Sequence, residues 1–307
     1  MITVFGSINL DIVMPVDTLP EPGETVLGHD YLMIPGGKGA NQACATALAG
    51  SQTHMFGQVG DDGFATEALR LLDENGVDLS GVVHGEHPTG CATIWVDASG
   101  ENEIVVASGA NMQVNARDVP DSALTKDHYL LLQMEIDPKQ NWALIERAHA
   151  RGTKTMLSVA PAGIVPENIL EKVDILLFNE LEGQAVARNV GMDEPTPTRL
   201  PRAMSERYDL TCILTMGGAG ALCCGPDGAW SVPALPISPV DSTGAGDAFA
   251  GTLAANLDQG RPIDEALRWA AVTSGITCRT KGSQNTIPSK DDVARELDQL
   301  PAIKKLA

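Results

Sequence analysis

The most restrictive feature of this sequence is a series of short, continuous apolar runs separated by stretches with helical spacing. Four such runs lie at residues 129–134, 155–159, 174–178 and 212–216, and a β-branched run at residues 3–8 precedes them. Continuous apolar runs of this length indicate strands buried on both faces, and intervening helices are typical of parallel sheets. The sequence therefore predicts an α/β fold with a mainly parallel, doubly wound sheet.

Two stretches break this alternation and carry only β patterns. Residues 12–34 alternate apolar and polar side chains, as in an antiparallel, hairpin-like excursion. Residues 89–106 contain two apolar runs on either side of a turn at 97–100, as in a β-hairpin. We expect the two stretches to pair into one small sheet.

The chain of 307 residues is long enough for one large or two smaller α/β domains. No linker, internal repeat or low-complexity tract divides it. Residues 193–198 are interpreted as a surface turn that leads into a helix. We therefore expect a single domain.

Polar or glycine residues follow several of the predicted strands directly. Because ligands of such sheets bind at the carboxyl ends of the strands, these residues should lie near one another. Taken alone, each of them is better explained as a turn or cap residue. They are Asn9, Asp11, Glu135, Asn179, Glu182 and the glycine-rich loop at 217–220.

The segment at residues 241–251, with the sequence DSTGAGDAFAG, combines a turn of small residues with the start of an apolar helix. Small residues allow an anion to approach backbone N–H groups at a helix N-terminus, where the helix dipole also favours negative charge. Asp247 lies beside this predicted phosphate cradle. Its carboxylate is expected either to cap the helix or to accept a proton from an attacking hydroxyl group.

Composition excludes several classes of function. A net charge of −19 without any basic run argues against a nucleic-acid partner, because binding phosphate backbones requires clustered cations. The six cysteines and six histidines lack metal-ligand spacing, so we expect free thiols and no zinc site. No basic leader or apolar segment of membrane-spanning length is present, and the expected location is therefore the cytoplasm, without a membrane partner.

Several nucleotide-dependent and hydrolytic chemistries lack their sequence signatures. The loop at residues 36–39 has no hydroxyl residue after its lysine, so it is not a Walker A loop. No dinucleotide fingerprint follows the first strand, and protein-kinase and serine-hydrolase motifs are also missing. What remains is phosphoryl transfer on another scaffold, in which catalysis consists of positioning and charge stabilisation.

Residues 36–41 (GGKGAN) and 241–247 (DSTGAGD) resemble the two signatures of the PfkB, or ribokinase-like, carbohydrate kinase family. The resemblance implies a three-layer α/β/α sandwich with a mainly parallel sheet, formed by one domain over residues 1–307. It also implies a discontinuous β lid from about 12–33 and 89–106. The likeness covers essentially the whole chain, through intermediate matches at 9–11, 22–25, 133–135, 179–182, 215–218 and 280–284.

Within the family, these segments are most similar to the members that phosphorylate ribose. The resemblance then implies ATP-dependent phosphorylation of the ribose 5-hydroxyl group, with Asp247 as general base. Gly244, Ala245 and Gly246 would supply N–H donors to the charge on the transferring phosphoryl group. The residues matching the family's sugar-binding positions are Asn9, Asp11, Gly37, Lys38, Asn41, Glu135 and Asp247.

By the same resemblance, the other positions bind ATP and two kinds of cation. Glu182 matches the magnesium region, where it would act through water. The nucleotide-binding positions are Asn179, Thr215, Gly217, Gly218, Gly220 and Gly246. The positions of a monovalent cation site, for potassium, are Asp241, Thr243, Thr277, Thr280, Gly282 and Thr286.

The lid of this family closes over the sugar and excludes water, and in ribose-phosphorylating members its edges pair between subunits. A homodimer is therefore expected, with contacts from Tyr31, Ile94, Trp95 and Val96. Other acceptors, such as a nucleoside or deoxyribose, and a non-catalytic sugar-binding role remain as alternatives. Three positions depart from the family pattern or have no assigned role: Thr252, Ala271 and the additional acid Asp137.

Overall fold

The structure is a computed structural model that describes residues 1–192 and 196–306. Its core is a ten-stranded sheet in the order β14-β13-β12-β11-β10-β9-β8-β1-β4-β5. The strands of this sheet are β1 (Ile2–Phe5), β4 (Thr53–Gly60), β5 (Asp78–Gly85), β8 (Tyr129–Leu132), β9 (Lys154–Ser158), β10 (Ile175–Asn179), β11 (Thr211–Thr215), β12 (Ala221–Gly225), β13 (Gly228–Val232) and β14 (Lys304–Leu306).

Every strand pair from β5 to β11 is parallel, whereas β12, β13 and β14 continue the sheet with antiparallel pairing. The predicted apolar runs form the centre of this sheet. In register, Val4 of β1 lies between Met55 of β4 and Leu131 of β8. The prediction of a mainly parallel sheet is confirmed, and the antiparallel edge is an addition to it.

Helices cover both faces of the sheet. The apolar residues of α1, α2, α7, α8 and α9 pack on one face, and those of α3, α4, α5 and α6 pack on the other. Successive residues of β8 alternate between the two cores, since Leu131 belongs to the first and Leu130 and Leu132 to the second. This arrangement confirms the three-layer α/β/α sandwich. The helices are α1 (Lys38–Leu48), α2 (Gly63–Glu74), α3 (Pro138–Arg151), α4 (Glu167–Leu170), α5 (Glu180–Asn189), α6 (Leu200–Tyr208), α7 (Ala245–Asp258), α8 (Ile263–Thr277) and α9 (Lys290–Glu296).

The two β excursions form a second sheet of four strands in the order β3-β2-β6-β7. We call it the small sheet. Antiparallel pairs join β2 to β3 and β6 to β7, while β2 and β6 pair in parallel and so connect the two excursions. Its strands are β2 (Asn9–Pro15), β3 (Leu32–Gly36), β6 (Gly90–Val96) and β7 (Asn102–Ala107).

The edge strands of the small sheet expose large apolar side chains. Leu32 on β3 is 58% exposed and Val105 on β7 is 59% exposed. Ile94, Trp95 and Val96, which the sequence suggested as contacts, lie on the inner strand β6 and are only partly exposed. The apolar surface is therefore concentrated on the two edges of the small sheet, where Tyr31 is also exposed.

Two further expectations concern the turn before α6 and membrane-spanning segments. Residues 193–195 of the predicted turn lie outside the described residues, and the helix α6 after it is present. Among the described residues, no helix is both long and apolar enough to cross a lipid bilayer.

Candidate active site

The polar residues that follow the strands come together at one edge of the main sheet, beneath the small sheet. Asn9 begins β2 directly after the β1 corner, and Asn179 ends β10. Glu135, which follows β8, accepts a hydrogen bond from the first amide of α1, and Asn41 of α1 donates to Asp247 at the start of α7. The expectation that the strand ends converge therefore agrees with the geometry.

The loop between β3 and α1 is shaped by Gly37, whose φ of 87° is a left-handed conformation that favours glycine. A Cβ atom at this position would lie only 2.8 Å from the backbone nitrogen of Asn9. The close approach lets α1 begin against the β1–β2 corner, and the backbone amide of Lys38 donates to Glu135 Oε2 at 2.9 Å. The glycines of the GGKG loop thus allow the first amide of α1 to reach the Glu135 carboxylate.

Glu135 and Asn9 are each held at one end by a second residue. The Ser7 hydroxyl donates to Glu135 Oε2 at 2.6 Å, and Oε1 receives no hydrogen bond from the described residues. Asn111 Nδ2 donates to Asn9 Oδ1 at 2.7 Å, and the backbone amide of Ile8 donates to Asn111 Oδ1 at 2.8 Å. Because its oxygen is occupied, Asn9 keeps its amide hydrogens for another partner.

Asp247 is the third residue of α7 and is almost completely buried, with 5% of its surface exposed. Asn41 Nδ2 donates to its Oδ2 at 3.0 Å, and Gln42 Nε2 donates to its Oδ1 at 3.1 Å. Helix α7 has no side-chain cap. The alternative in which Asp247 caps its own helix is therefore wrong, because both carboxylate oxygens face the amides of α1.

The start of α7 presents backbone N–H groups without acceptors. Gly244 adopts a left-handed conformation with φ of 73°, and a Cβ atom on Gly246 would meet nothing within 4 Å. No described residue accepts a hydrogen bond from the amides of Gly244, Gly246 or Asp247. The amide of Ala245, by contrast, donates to the Ser242 carbonyl at 3.2 Å. Ala245 thus closes the turn, while its neighbours leave donors available.

The charges of the site are arranged around Lys38. Attraction by Asp247, then by Glu135 and other acids, raises the pKa of Lys38 despite its burial. Burial and the nearby Glu135 raise the pKa of Asp11 to about 7, although Lys38 opposes this shift. Asp11 Oδ1 is buried, and none of the described residues donates a hydrogen bond to it. The site therefore holds a carboxyl group with one buried oxygen that receives no hydrogen bond from the described part of the chain.

Asn179 and Glu182 form a capping box at the start of α5. The Asn179 side chain accepts from the Glu182 amide at 2.9 Å, and Glu182 Oε2 accepts from the Asn179 amide at 2.8 Å. Burial raises the pKa of Glu182, and repulsion by Asp247 adds to this effect. The second oxygen of Glu182 has no hydrogen-bond donor among residues 1–192 and 196–306. A carboxylate with one available oxygen fits a magnesium ion that keeps its waters.

Within the described chain, no group of three or more His, Cys, Asp or Glu residues is arranged to hold a metal ion. Magnesium usually takes one or two carboxylates together with waters and substrate phosphates, so the single carboxylate of Glu182 is sufficient for it. The residues present therefore fit a magnesium ion that arrives with ATP.

The predicted monovalent-cation positions lie on two loops that touch. Asp241 Oδ2 accepts from the Gly282 amide at 3.1 Å, and Asp241 Oδ1 accepts from the Thr243 hydroxyl at 2.7 Å. The Thr277 and Thr286 hydroxyl groups donate to the nearby carbonyls of Thr273 and Ser283. Their lone pairs and the loop carbonyls are oxygen ligands, which suit a hard cation. The convergence of the two loops fits a potassium ion.

The remaining predicted positions lie along the same edge. Thr215 ends β11, and Gly217 begins a short turn that leads to β12. Gly220 has a φ of 89°, so this turn folds back sharply. Asp137, whose role the sequence did not explain, caps α3 by accepting from the Lys139 amide. Thr252 and Ala271 are buried within their helices.

Sequence reasoning missed four residues that hold the site together. Ser7 and Asn111 orient Glu135 and Asn9, as described above, and Gln42 and Gln133 form a buried chain to Asp247. Gln42 stands in a helix of small apolar residues, which is the one local signal that it has a buried partner. The other three make contacts with residues about 90 or more positions away, which no local pattern predicts.

A family model described as "pfkB family carbohydrate kinase" matches residues 1–290 of the chain. The chain is 33% identical to the ribokinase of Bacillus subtilis, covering 95% of this chain and 97% of that protein. It is 32% identical to the deoxyribokinase of Salmonella typhi, over 94% and 95% of the two chains. It also matches 56% of a longer relative, the bifunctional ribokinase/ribose-5-phosphate isomerase A of Fructilactobacillus sanfranciscensis, at 34% identity.

The fold is similar to that of solved ribokinases. The structure of Arabidopsis thaliana ribokinase complexed with ribose and ATP superimposes with a TM-score of 0.87, over 96% of this chain and 98% of that one, at 29% identity. The family match over residues 1–290, the relatives and the shared fold agree. The chain belongs to the pfkB family of carbohydrate kinases and is an ATP-dependent sugar kinase.

Proposed function

We propose that this kinase transfers the γ-phosphoryl group of ATP to the 5-hydroxyl group of D-ribose. The observation that carries the proposal is the buried carboxylate of Asp247, which adjoins the unpaired amides at the start of α7. A carboxylate in that position can remove a proton from a hydroxyl group, while the amides stabilise the charge on phosphorus. A binding protein without catalysis needs neither arrangement.

The sugar would occupy the space between the small sheet and the N-termini of α1 and α7. Asn9 offers amide hydrogens, and Asp11 offers a buried carboxyl oxygen to which no described residue donates a hydrogen bond. The free oxygen of Glu135 and the α1 residues Lys38 and Asn41, after Gly37, would complete the contacts. A polyol presents adjacent donors and acceptors, and it would satisfy polar groups that are otherwise costly to bury.

In the reaction, the bond between the ribose 5-oxygen and its hydrogen breaks and the proton passes to Asp247. The 5-oxygen forms a bond to the γ-phosphorus as the bond to the β-phosphate oxygen breaks, which gives ribose 5-phosphate and ADP. The amides of Gly244 and Gly246 would receive the developing charge. The Ala245 amide already donates to Ser242, so we assign Ala245 to shaping the turn.

ATP would lie along the ends of β10 and β11, beside Asn179, Thr215, Gly217, Gly218, Gly220 and the free amide of Gly246. Glu182 would hold hydrated Mg²⁺, which supplies positive charge to the ATP phosphates when bound. K⁺ would be held by the loop before α7, at Asp241 and Thr243, and by the end of α8 and the loop after it, at Thr277, Thr280, Gly282 and Thr286. That ion would keep the turn before α7 in place.

We also propose that the small sheet is a lid that excludes water from the sugar, and that it joins two subunits. The exposed apolar residues on both of its edges support this role, because unpaired edges with apolar faces favour association. We therefore keep Tyr31 among the expected contacts and replace Ile94, Trp95 and Val96 by Leu32 on β3 and Val105 on β7. The cytoplasm remains the expected location from the sequence.

Phosphorylation assays with several sugars and a nucleoside as acceptors test the proposal. ATP turnover should be measured with ribose, 2-deoxyribose, fructose and adenosine, with and without potassium, and the product should be identified by ³¹P NMR. We expect the highest kcat/KM with ribose, phosphate on the 5-oxygen, and stimulation by potassium. A higher kcat/KM with deoxyribose or adenosine would show that ribose is not the preferred acceptor. The Asp137→Asn variant keeps a helix cap and serves as an active control.

A further inference from the structure

A chain of buried amides extends from Asp247 into the interior of the protein. Gln42 Nε2 donates to Asp247 Oδ1 at 3.1 Å, and Gln133 Nε2 donates to Gln42 Oε1 at 2.8 Å. Gln42 is 1% exposed and Gln133 is fully buried. The chain therefore joins α7 to α1 and to the turn after β8 without contact with solvent.

The direction of the chain is fixed by the charge at its end. An ionised carboxylate only accepts hydrogen bonds, so Gln42 must turn its NH₂ group toward Asp247. Its oxygen then faces Gln133, which must also present NH₂. One charged group thus sets the orientation of two amides, and the two amides in turn restrict the rotation of that group.

The fold makes room for this chain and anchors its far end. A Cβ atom on Gly6 would collide with Gln133 Oε1, so the end of β1 has no side chain where Gln133 passes. Asn141 Nδ2, on α3, donates to the Gln133 backbone carbonyl at 2.6 Å and fixes the turn. Glu135, which we assign to the sugar, belongs to the same turn. The turn therefore holds one end of the amide chain and a sugar-binding carboxylate.

We propose that Gln42 and Gln133 are positioning residues that hold the Asp247 carboxylate in the orientation required for proton transfer. The inference rests on the proposed role of Asp247. Asn41 holds the other oxygen at 3.0 Å, so the carboxylate is fixed from two sides. Gln133 does not touch Asp247, and it acts through Gln42 alone.

The same contacts tune the acidity of Asp247. Burial raises the pKa of Asp247, whereas Lys38 and the hydrogen bonds from Asn41 and Gln42 lower it. The charged groups that face it are Lys38, Glu135 and Glu182. Loss of the Gln42 donor removes a stabilising contact from the ionised form, so the pKa of Asp247 should rise.

The experiment measures kcat, KM for ribose and the pH profile of kcat for the variants Gln42→Met and Gln133→Met. Each variant keeps the side-chain volume and removes the donor. We expect kcat to fall about tenfold, KM to change little, and the acidic limb of the profile to move up by about one pH unit, as expected for the loss of one hydrogen bond to a charged group. The double variant should lose no more kcat than Gln42→Met alone, because the two glutamines act through one chain.

Two controls separate a positioning role from a structural one. Gln133→Glu should retain more activity than Gln133→Met, because an unpaired buried carboxyl group is protonated and can donate to Gln42 Oε1. Asn256→Leu removes a buried amide from α7, at a site that the chain does not reach, and should leave the pH profile unchanged.

An unchanged acidic limb in both methionine variants would overturn the inference, and so would additive losses in the double variant. If Gln133→Met does not fold, Gln42→Met and Gln133→Glu still decide the matter through the pH profile. The Asp247→Asn variant distinguishes this inference from the proposed function. If that variant keeps full activity, the role of Asp247 itself is wrong; if it is inactive while the glutamine variants are normal, only the positioning role fails.

Discussion

Replacement of Asp11 by asparagine should stabilise the sugar-free protein at pH 8 and at the same time abolish its affinity for ribose. Asp11 lies in the proposed sugar site, where burial and Glu135 raise the pKa of its carboxyl group to about 7. Its buried Oδ1 atom has no donor within the described chain. Above pH 7 the ionised Asp11 carboxylate therefore lowers the free energy of unfolding, and bound sugar would restore it.

The size of this change in stability follows from the shift in the pKa of Asp11. The pKa rises from 3.8 to about 7 on folding, and each pKa unit corresponds to about 1.4 kcal/mol. Because the folded pKa is raised, the folded state binds the proton more tightly, and stability is lost as the pH rises from about 4 to about 7. The full penalty is about 4 kcal/mol above pH 7, and about 2.5 kcal/mol of it develops between pH 5 and pH 8.

Urea unfolding of the wild-type protein and the Asp11→Asn variant, at pH 5 and pH 8 without sugar, measures the contribution of Asp11 to the free energy of unfolding. The stability of the variant relative to wild type should increase by about 2.5 kcal/mol between the two pH values. The change with pH is the relevant quantity, because the cost of burying the new NH₂ group is the same at both. Asp127→Asn alters an exposed acid and serves as the control. A constant difference between the Asp11 variant and wild type would refute the reasoning.

Three other perturbations have defined outcomes. Asn111→Leu should raise the KM for ribose about tenfold with a smaller change in kcat, since Asn9 loses the hydrogen bond that orients it; equal KM values would contradict this. Asn179→Ala should lower the free energy of unfolding by about 1 kcal/mol through loss of the α5 cap, and an unchanged urea midpoint would argue against the capping box. Val105→Glu on the small sheet should give monomers in sedimentation velocity, whereas Val83→Glu on β5 should not; dimers in both variants would move the interface elsewhere.

The main elements of the fold could be predicted because their information is local. The apolar run at 129–134 is buried between two helical layers, so every residue of β8 needs to be apolar. The β pattern at 89–106 likewise predicted the hairpin of β6 and β7. The association of the two β stretches in one small sheet was expected, but the parallel pairing of β2 with β6 was not, because these strands are about 80 residues apart and neither sequence specifies the partner or its direction.

The site was only partly predictable for the same reason. Residue types and strand ends identified Asp247 and Glu135 as members of one site. The residues that contact them, Gln42 and Ser7, were not predicted as partners, because a buried hydrogen bond between distant residues follows from the packing of whole elements. The Ala245 amide shows a further limit, since the turn geometry decides which donors in a glycine-rich segment remain unpaired.

The most direct test of the whole account is the rate of phosphoryl transfer in the Asp247→Asn variant, measured by rapid quench in a single turnover with saturating ATP and ribose. A general base contributes about 10²- to 10⁴-fold to such a step. We predict a fall of at least about 10²-fold in the rate constant, with ribose affinity within about threefold of wild type, because asparagine keeps the shape of the side chain. A rate within about twofold of wild type would contradict the assignment of Asp247 as the residue that accepts the proton.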